Sequence, residues 1–110
     1  MKLLLDTHVW VWSASTSSRL SPRARRTIES TANEIWISPI STWELILLSD
    51  RGRLNLDPDP ISWLRAALAA VPAREAPLNH SIAIASRRID LPHDDPADRL
   101  LAATAQVLEL

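Results

Sequence analysis

The sequence predicts an α/β domain built on a parallel sheet. Short apolar runs suited to buried strands alternate with longer segments of helical spacing. Helix-start signals such as Ser21-Pro22, Asp59-Pro60 and Asp95-Pro96 open several of those longer segments. At 110 residues there is room for one core, so residues 1–110 are expected to form a single domain.

Leu3-Leu4-Leu5 is a continuous apolar run and predicts a buried strand ending at Asp6. Thr7 to Trp12 is apolar too, and its pattern fits either more strand or a first helix. The Ser/Thr cluster from Ser13 to Ser18 predicts a loop. Ser21 is then an N-cap with Pro22 in the first helical position and Leu20 as a staple; this helix runs to about Ser30 with Ala24 and Ile28 inward and Arg23, Arg25 and Arg26 mostly outward. Glu34-Ile35-Trp36-Ile37 has the β-branched and aromatic content of a second strand. Ser41-Thr42-Trp43-Glu44 opens a helix that stops near Gly52, a C-cap. Asp59-Pro60 opens another, with Ile61, Leu64, Leu68 and Val71 at helical spacing and Pro72 at its end. Ala76-Pro77-Leu78 is a candidate third strand, Asn79 caps a helix reaching Arg88, and Asp95-Pro96-Ala97-Asp98 opens a last helix to the chain end. Trp43 and Trp63 are expected to face inward.

Composition narrows the function classes. Hydrophobic types make up 46% and charged types 23%, the balance of a globular domain rather than a disordered one. A net charge of −1 argues against coating nucleic acid by bulk charge. The absence of cysteine excludes disulfide scaffolds, thiol catalysis and zinc–thiolate sites, and fits a reducing compartment, so a cytoplasmic location is expected. The single glycine, Gly52, excludes glycine-rich phosphate loops. No apolar run approaches a membrane span, and Asp6 interrupts the apolar start before it resembles a secretion signal.

In open parallel sheets, ligands sit beyond the carboxyl ends of the strands. Asp6 ends the first strand, Glu44 lies at the start of the helix after the second, and Asp98 lies in the first turn of the last helix with Asp95 before it. Three segments thus aim carboxylates at one sheet edge. Such groups repel one another without a partner, and a hard divalent cation with oxygen ligands, Mg²⁺ or Mn²⁺, relieves that repulsion. These ions activate water for phosphodiester hydrolysis, which makes a nuclease or phosphotransfer site the expected chemistry. Structural readings stand beside it. Ser41-x-x-Glu44 is also a capping box, and Asp95 and Asp98 are also favourable acids at a helix start. His8 reads as a hydrogen-bonded histidine, and His80 and His93 share no metal-ligand spacing with it.

Four segments, Leu4-Leu5-Asp6-Thr7-His8-Val9-Trp10, Ile37-Ser38-Pro39-Ile40-Ser41-Thr42-Trp43-Glu44, Gly52-Arg53-Leu54 and Asp95-Pro96-Ala97-Asp98-Arg99-Leu100-Leu101-Ala102-Ala103-Thr104-Ala105, occur in an order that resembles PIN-domain ribonucleases. Within them the chain is most similar to the VapC-type toxins of type II toxin–antitoxin pairs. The resemblance implies a three-layer α/β/α sandwich with a parallel sheet and Mg²⁺- or Mn²⁺-dependent endonucleolytic cleavage of RNA. It also implies a cognate antitoxin as inhibitor and homodimer formation. Carried over by position, the catalytic and metal-binding acids fall on Asp6, Glu44 and Asp98. Asp95 is accessory, Thr7 and Ser41 are polar groups beside the metal, and Arg99 orients the third acid or meets a phosphate.

Members of that family continue into a further strand whose turn often supplies a fourth acid. These 110 residues stop before it, so the expectation is a C-terminally incomplete domain with its first strand left as an edge open to pairing. A catalytically degenerate module that binds antitoxin or RNA without cutting is therefore carried as a second reading. A receiver-type phosphoacceptor is a third, disfavoured by the single acid after the first strand and by Lys2 being the one lysine.

Overall fold

A computed structural model describes residues 1–15, 19–70 and 72–110. The expected loop at Ser13 to Ser18 lies partly outside the described residues, and Val71 lies wholly outside them. Among the described residues the order is β1 (Lys2–Leu4), α1 (Thr7–Ser13), α2 (Pro22–Glu29), β2 (Glu34–Ile37), α3 (Pro39–Asp50), α4 (Pro60–Ala70), β3 (Ala73–Glu75), α5 (His80–Arg88) and α6 (Pro96–Leu108).

The sheet has the order β1-β2-β3, and both pairings are parallel. Leu3 stands opposite Ile35, and Ile35 opposite Ala73, so an apolar row crosses all three strands. Parallel neighbours need crossovers, and α1–α2 and α3–α4 supply them. This is the expected α/β fold class. Among the described residues β1 stands at one edge of the sheet.

Local signals explain most boundaries. The ambiguous Thr7–Trp12 segment is helical because the Asp6 carboxylate accepts from the His8 amide at 2.9 Å and starts α1 there. Ser21 caps α2 through the Ala24 amide, with Pro22 in its first turn. Arg25, expected mostly outward, is half-buried and donates to the carbonyls of Trp12, Ser13 and Ser15. Gly52, at φ 71°, takes the left-handed turn after α3. Asn79 caps α5 through the Ile82 amide, and Glu109 at φ 57° closes α6.

Three expectations need correction. Helix α3 begins at Pro39 rather than Ser41, because Ser38 is its cap and accepts from the Ile40 amide at 3.0 Å. The third strand is Ala73–Glu75, upstream of Ala76-Pro77-Leu78; Pro77 has no amide hydrogen to give a ladder, and the Ala76 amide makes the last bond, to the Ile37 carbonyl. Trp43 is 52% exposed, because Ser41 and Leu45 occupy the inward face of α3. Helix α4 forms at Pro60–Ala70, as the helical spacing indicates, with Leu64 and Ala67 buried and Ile61 and Leu68 half exposed.

The core joins Leu5, Trp10, Ile35, Ile37, Leu45, Leu56, Leu64 and Ala67. Each large aliphatic side chain buried there contributes about 1.5–3 kcal/mol relative to exposure. Trp63 packs half-buried against this cluster, its ring set edge-on to Trp10 at 6.1 Å, so its inward expectation holds. The core anchors β1, β2, α1 and α3, which carry or adjoin Asp6 and Glu44.

Candidate active site

Asp6 lies two residues past β1, at the N-terminus of α1. Glu44 lies in the second turn of α3 and is half-buried. Because Ser38 caps that helix, the capping-box account of Glu44 fails, and its carboxylate has no capping duty there. Asp95 caps α6, accepting from the Asp98 amide at 3.1 Å, and Asp98 follows in the first turn. Asp95 therefore does serve the structural role foreseen for it, through one of two carboxylate oxygens.

Packing of α3 on α6 brings three of these acids together. Glu44, Asp95 and Asp98 each offer an oxygen within 4.8 Å of the others. All three donors are hard carboxylate oxygens, the set preferred by Mg²⁺ or Mn²⁺. Oxygen ligands of one octahedral Mg²⁺ stand about 3 Å apart when adjacent and about 4 Å apart when opposite, so approaches of up to about 2 Å would close the group on such an ion. The donor set thus fits the cation.

Asp6 stands outside that tight group. Its side chain is 57% exposed and lies 4.0 Å from His8 Nδ1. It nonetheless shares a groove of about 480 Å³ with Asp98 and His93, lined also by Lys2, Leu3 and Leu101. The accessory acid Asp95 is inside the trio.

The flanking polar residues have distinct tasks. Thr7 Oγ1 donates to Ser41 Oγ at 3.1 Å, and both residues are fully buried. This bond ties the first residue of α1, next to Asp6, to the first turn of α3, one turn before Glu44. Arg99 is 8% exposed and does not face outward toward a phosphate. It donates instead to the carbonyls of Ser86, Ile89 and His93 at 2.8, 2.8 and 3.3 Å.

His93 is the neighbour that sequence reasoning missed. Its Nδ1 accepts from the Asp95 amide at 3.3 Å, and its Nε2 lies 3.6 Å from Asp98 Oδ2. The available signal was its place two residues before a helix-capping acid; metal-ligand spacing to other histidines was the wrong test. Asp94 is 78% exposed, pairs with Arg87 at 3.2 Å and lies outside the trio.

An acidic trio of this kind serves several chemistries, and comparison with known proteins separates them. The profile of the PIN domain matches residues 3–110. This chain belongs to the PIN-domain family. A Mycobacterium tuberculosis protein named Ribonuclease VapC22 is 37% identical over 106 residues, covering 94% of this chain and 78% of that protein. The PIN domain is accordingly of the VapC type. No solved structure matches the chain significantly. Among the described residues, no helix of the PIN domain is long and apolar enough to cross a membrane.

Proposed function

We propose that this PIN domain is a metal-dependent endoribonuclease, the toxin of a type II toxin–antitoxin pair acting in the cytoplasm. The observation that carries the reading is the convergence of Glu44, Asp95 and Asp98 within 4.8 Å, at the sites the family resemblance assigns to acids or adjacent to them. Glu44 and Asp98 would hold Mg²⁺ or Mn²⁺, with Asp95 assisting through its second oxygen and Asp6 contributing from the groove it shares with Asp98. The bound cation supplies Lewis acidity to a scissile phosphate and an activated water. The chain's own part is to place Asp6, Asp95 and Asp98 at helix starts and Glu44 one turn into α3, with the buried Thr7–Ser41 bond tying α1 to α3. No nucleophilic side chain is needed. The same reading carries a cognate antitoxin and a second copy of the chain as partners.

The second reading, a partner-binding module that does not cut, is favoured by one observation: Asp6 lies outside the tight trio, with its carboxylate on the His8 amide. One experiment separates the two. RNA is incubated with the purified protein in Mg²⁺ or Mn²⁺ and in EDTA, alongside Glu44→Gln, Asp98→Asn and Asp6→Asn. Cleavage that needs metal and disappears in all three variants supports the nuclease. Cleavage persisting in EDTA or in Glu44→Gln refutes the proposed roles, and a folded wild type that binds RNA or partner without cutting supports the second reading.

A further inference from the structure

The guanidinium of Arg99 is a costly group to bury in so small a domain, and nothing in the metal chemistry above uses it. Its three acceptors explain the cost. Ser86 is in the last turn of α5, Ile89 directly follows that helix, and His93 lies two residues before the cap of α6. Arg99 therefore spans the whole connection from α5 to α6, with Asp94 Oδ1 a further 3.8 Å from its Nε. Among the described residues, no backbone-to-backbone hydrogen bond is donated from within residues 90–94. Within that stretch Arg99 holds the His93 carbonyl, and Arg87 pairs with Asp94.

What that connection delivers is the His93 ring. With Nδ1 accepting from the Asp95 amide, the neutral ring carries its proton on Nε2, the atom that faces Asp98 at 3.6 Å. We infer that Arg99 is a positioning residue of the acidic site, acting through the 89–95 connection to hold His93 against Asp98 and Asp95. This rests on the metal-site reading. The fork geometry matters as well as the charge, since a lysine ammonium is a compact point charge and cannot present three diverging N–H groups in one plane.

The test is Mn²⁺ affinity, read from the free-ion electron paramagnetic resonance signal, beside thermal stability, for wild type, Arg99→Lys, His93→Ala and Leu64→Ala. Leu64 is buried in α4 and reports what a loss of stability alone does. Arg99→Lys and His93→Ala are expected to weaken Mn²⁺ binding roughly 10- to 100-fold, the usual effect of removing a residue that orients metal ligands. His93 is exposed, so its variant should keep the wild-type melting temperature. Leu64→Ala should melt earlier and bind Mn²⁺ as wild type does. Wild-type affinity in Arg99→Lys overturns the inference, as does a Leu64→Ala affinity that falls in step with its stability. If Arg99→Lys does not fold, His93→Ala decides, and unchanged affinity there overturns it. A wild type that binds no Mn²⁺ removes the metal-site reading and this inference together; a wild type that binds while both variants bind equally removes the inference alone.

Discussion

The Thr7–Ser41 hydrogen bond gives a sharp test, because both hydroxyls are sealed from water at 1% and 0% exposure. Ser41→Ala leaves the Thr7 hydroxyl buried with its acceptor removed, at a cost of about 1–3 kcal/mol. Thr7→Val keeps the side-chain shape and strands the Ser41 oxygen, with a cost in the same range of about 1–3 kcal/mol. Replacing both removes the pair without orphaning either group, so the double variant should lose only the net worth of one bond, about 0.5–1.5 kcal/mol. With about 2 kcal/mol lost in each single variant and about 1 in the double, the coupling is about 3 kcal/mol, well above the roughly 0.3–0.5 kcal/mol within which independent sites add. Against a total stability of about 5–15 kcal/mol for a domain of this kind, that is readily measured. The assay is equilibrium urea unfolding of the four proteins with matched m-values, where about 2 kcal/mol moves the midpoint by roughly 1 M. Additive losses in the double variant would refute the claim that this bond is a closed, water-free pair.

Other expectations follow from the same geometry. Mn²⁺ at a hundred times its dissociation constant should stabilise the protein by about 2.7 kcal/mol, and Asp98→Asn should abolish the effect in a thermal melt. The Asp59 carboxyl titrates below its ordinary value because the Ser62 amide and hydroxyl donate to its charged form. A lowered folded-state value means its contribution is present above the unfolded value and lost as pH falls through the folded one; Asp59→Asn, still able to cap, should flatten that acidic limb in a pH series of denaturation curves. Trp10→Ala should cost roughly 3–5 kcal/mol and erase much of the near-ultraviolet dichroism, since Trp10 is 1% exposed at the centre of the core. Trp43→Ser, on the exposed face of α3, should change stability by less than about 0.5 kcal/mol in the same experiment.

Much of the fold was legible because local chemistry and tertiary demand agree. The strand at Glu34–Ile37 and the caps at Ser21, Asn79 and Asp95 lie where the residues indicate, and β1 at Lys2–Leu4 falls one residue before the Leu3–Leu5 run. β3 was not legible: Ala-Arg-Glu has neither alternation nor β-branched content, and it is a strand only because β2 offers a partner. Trp43 was misplaced because α3 carries Ile40, Trp43, Leu45, Ile46, Leu47 and Leu48 on every side, so no single stripe marks its inward face. In the site, the acids could be found as carboxylates near helix starts. Arg99 could not be understood from spacing, since its partners are backbone carbonyls 6 to 13 residues away.

Asp6 and Asp95 each lend one oxygen to a neighbouring amide, of His8 and of Asp98. Those two N–H groups are built-in reporters. A cation drawing on either carboxylate withdraws electron density from the oxygen its amide leans on, so the amide resonance should move and its protection against deuterium should fall. His8 and Asp98 can thus be followed one at a time in a nitrogen-edited spectrum during a Mg²⁺ titration. The helix starts themselves then say which acids the ion has engaged, without any RNA being cut.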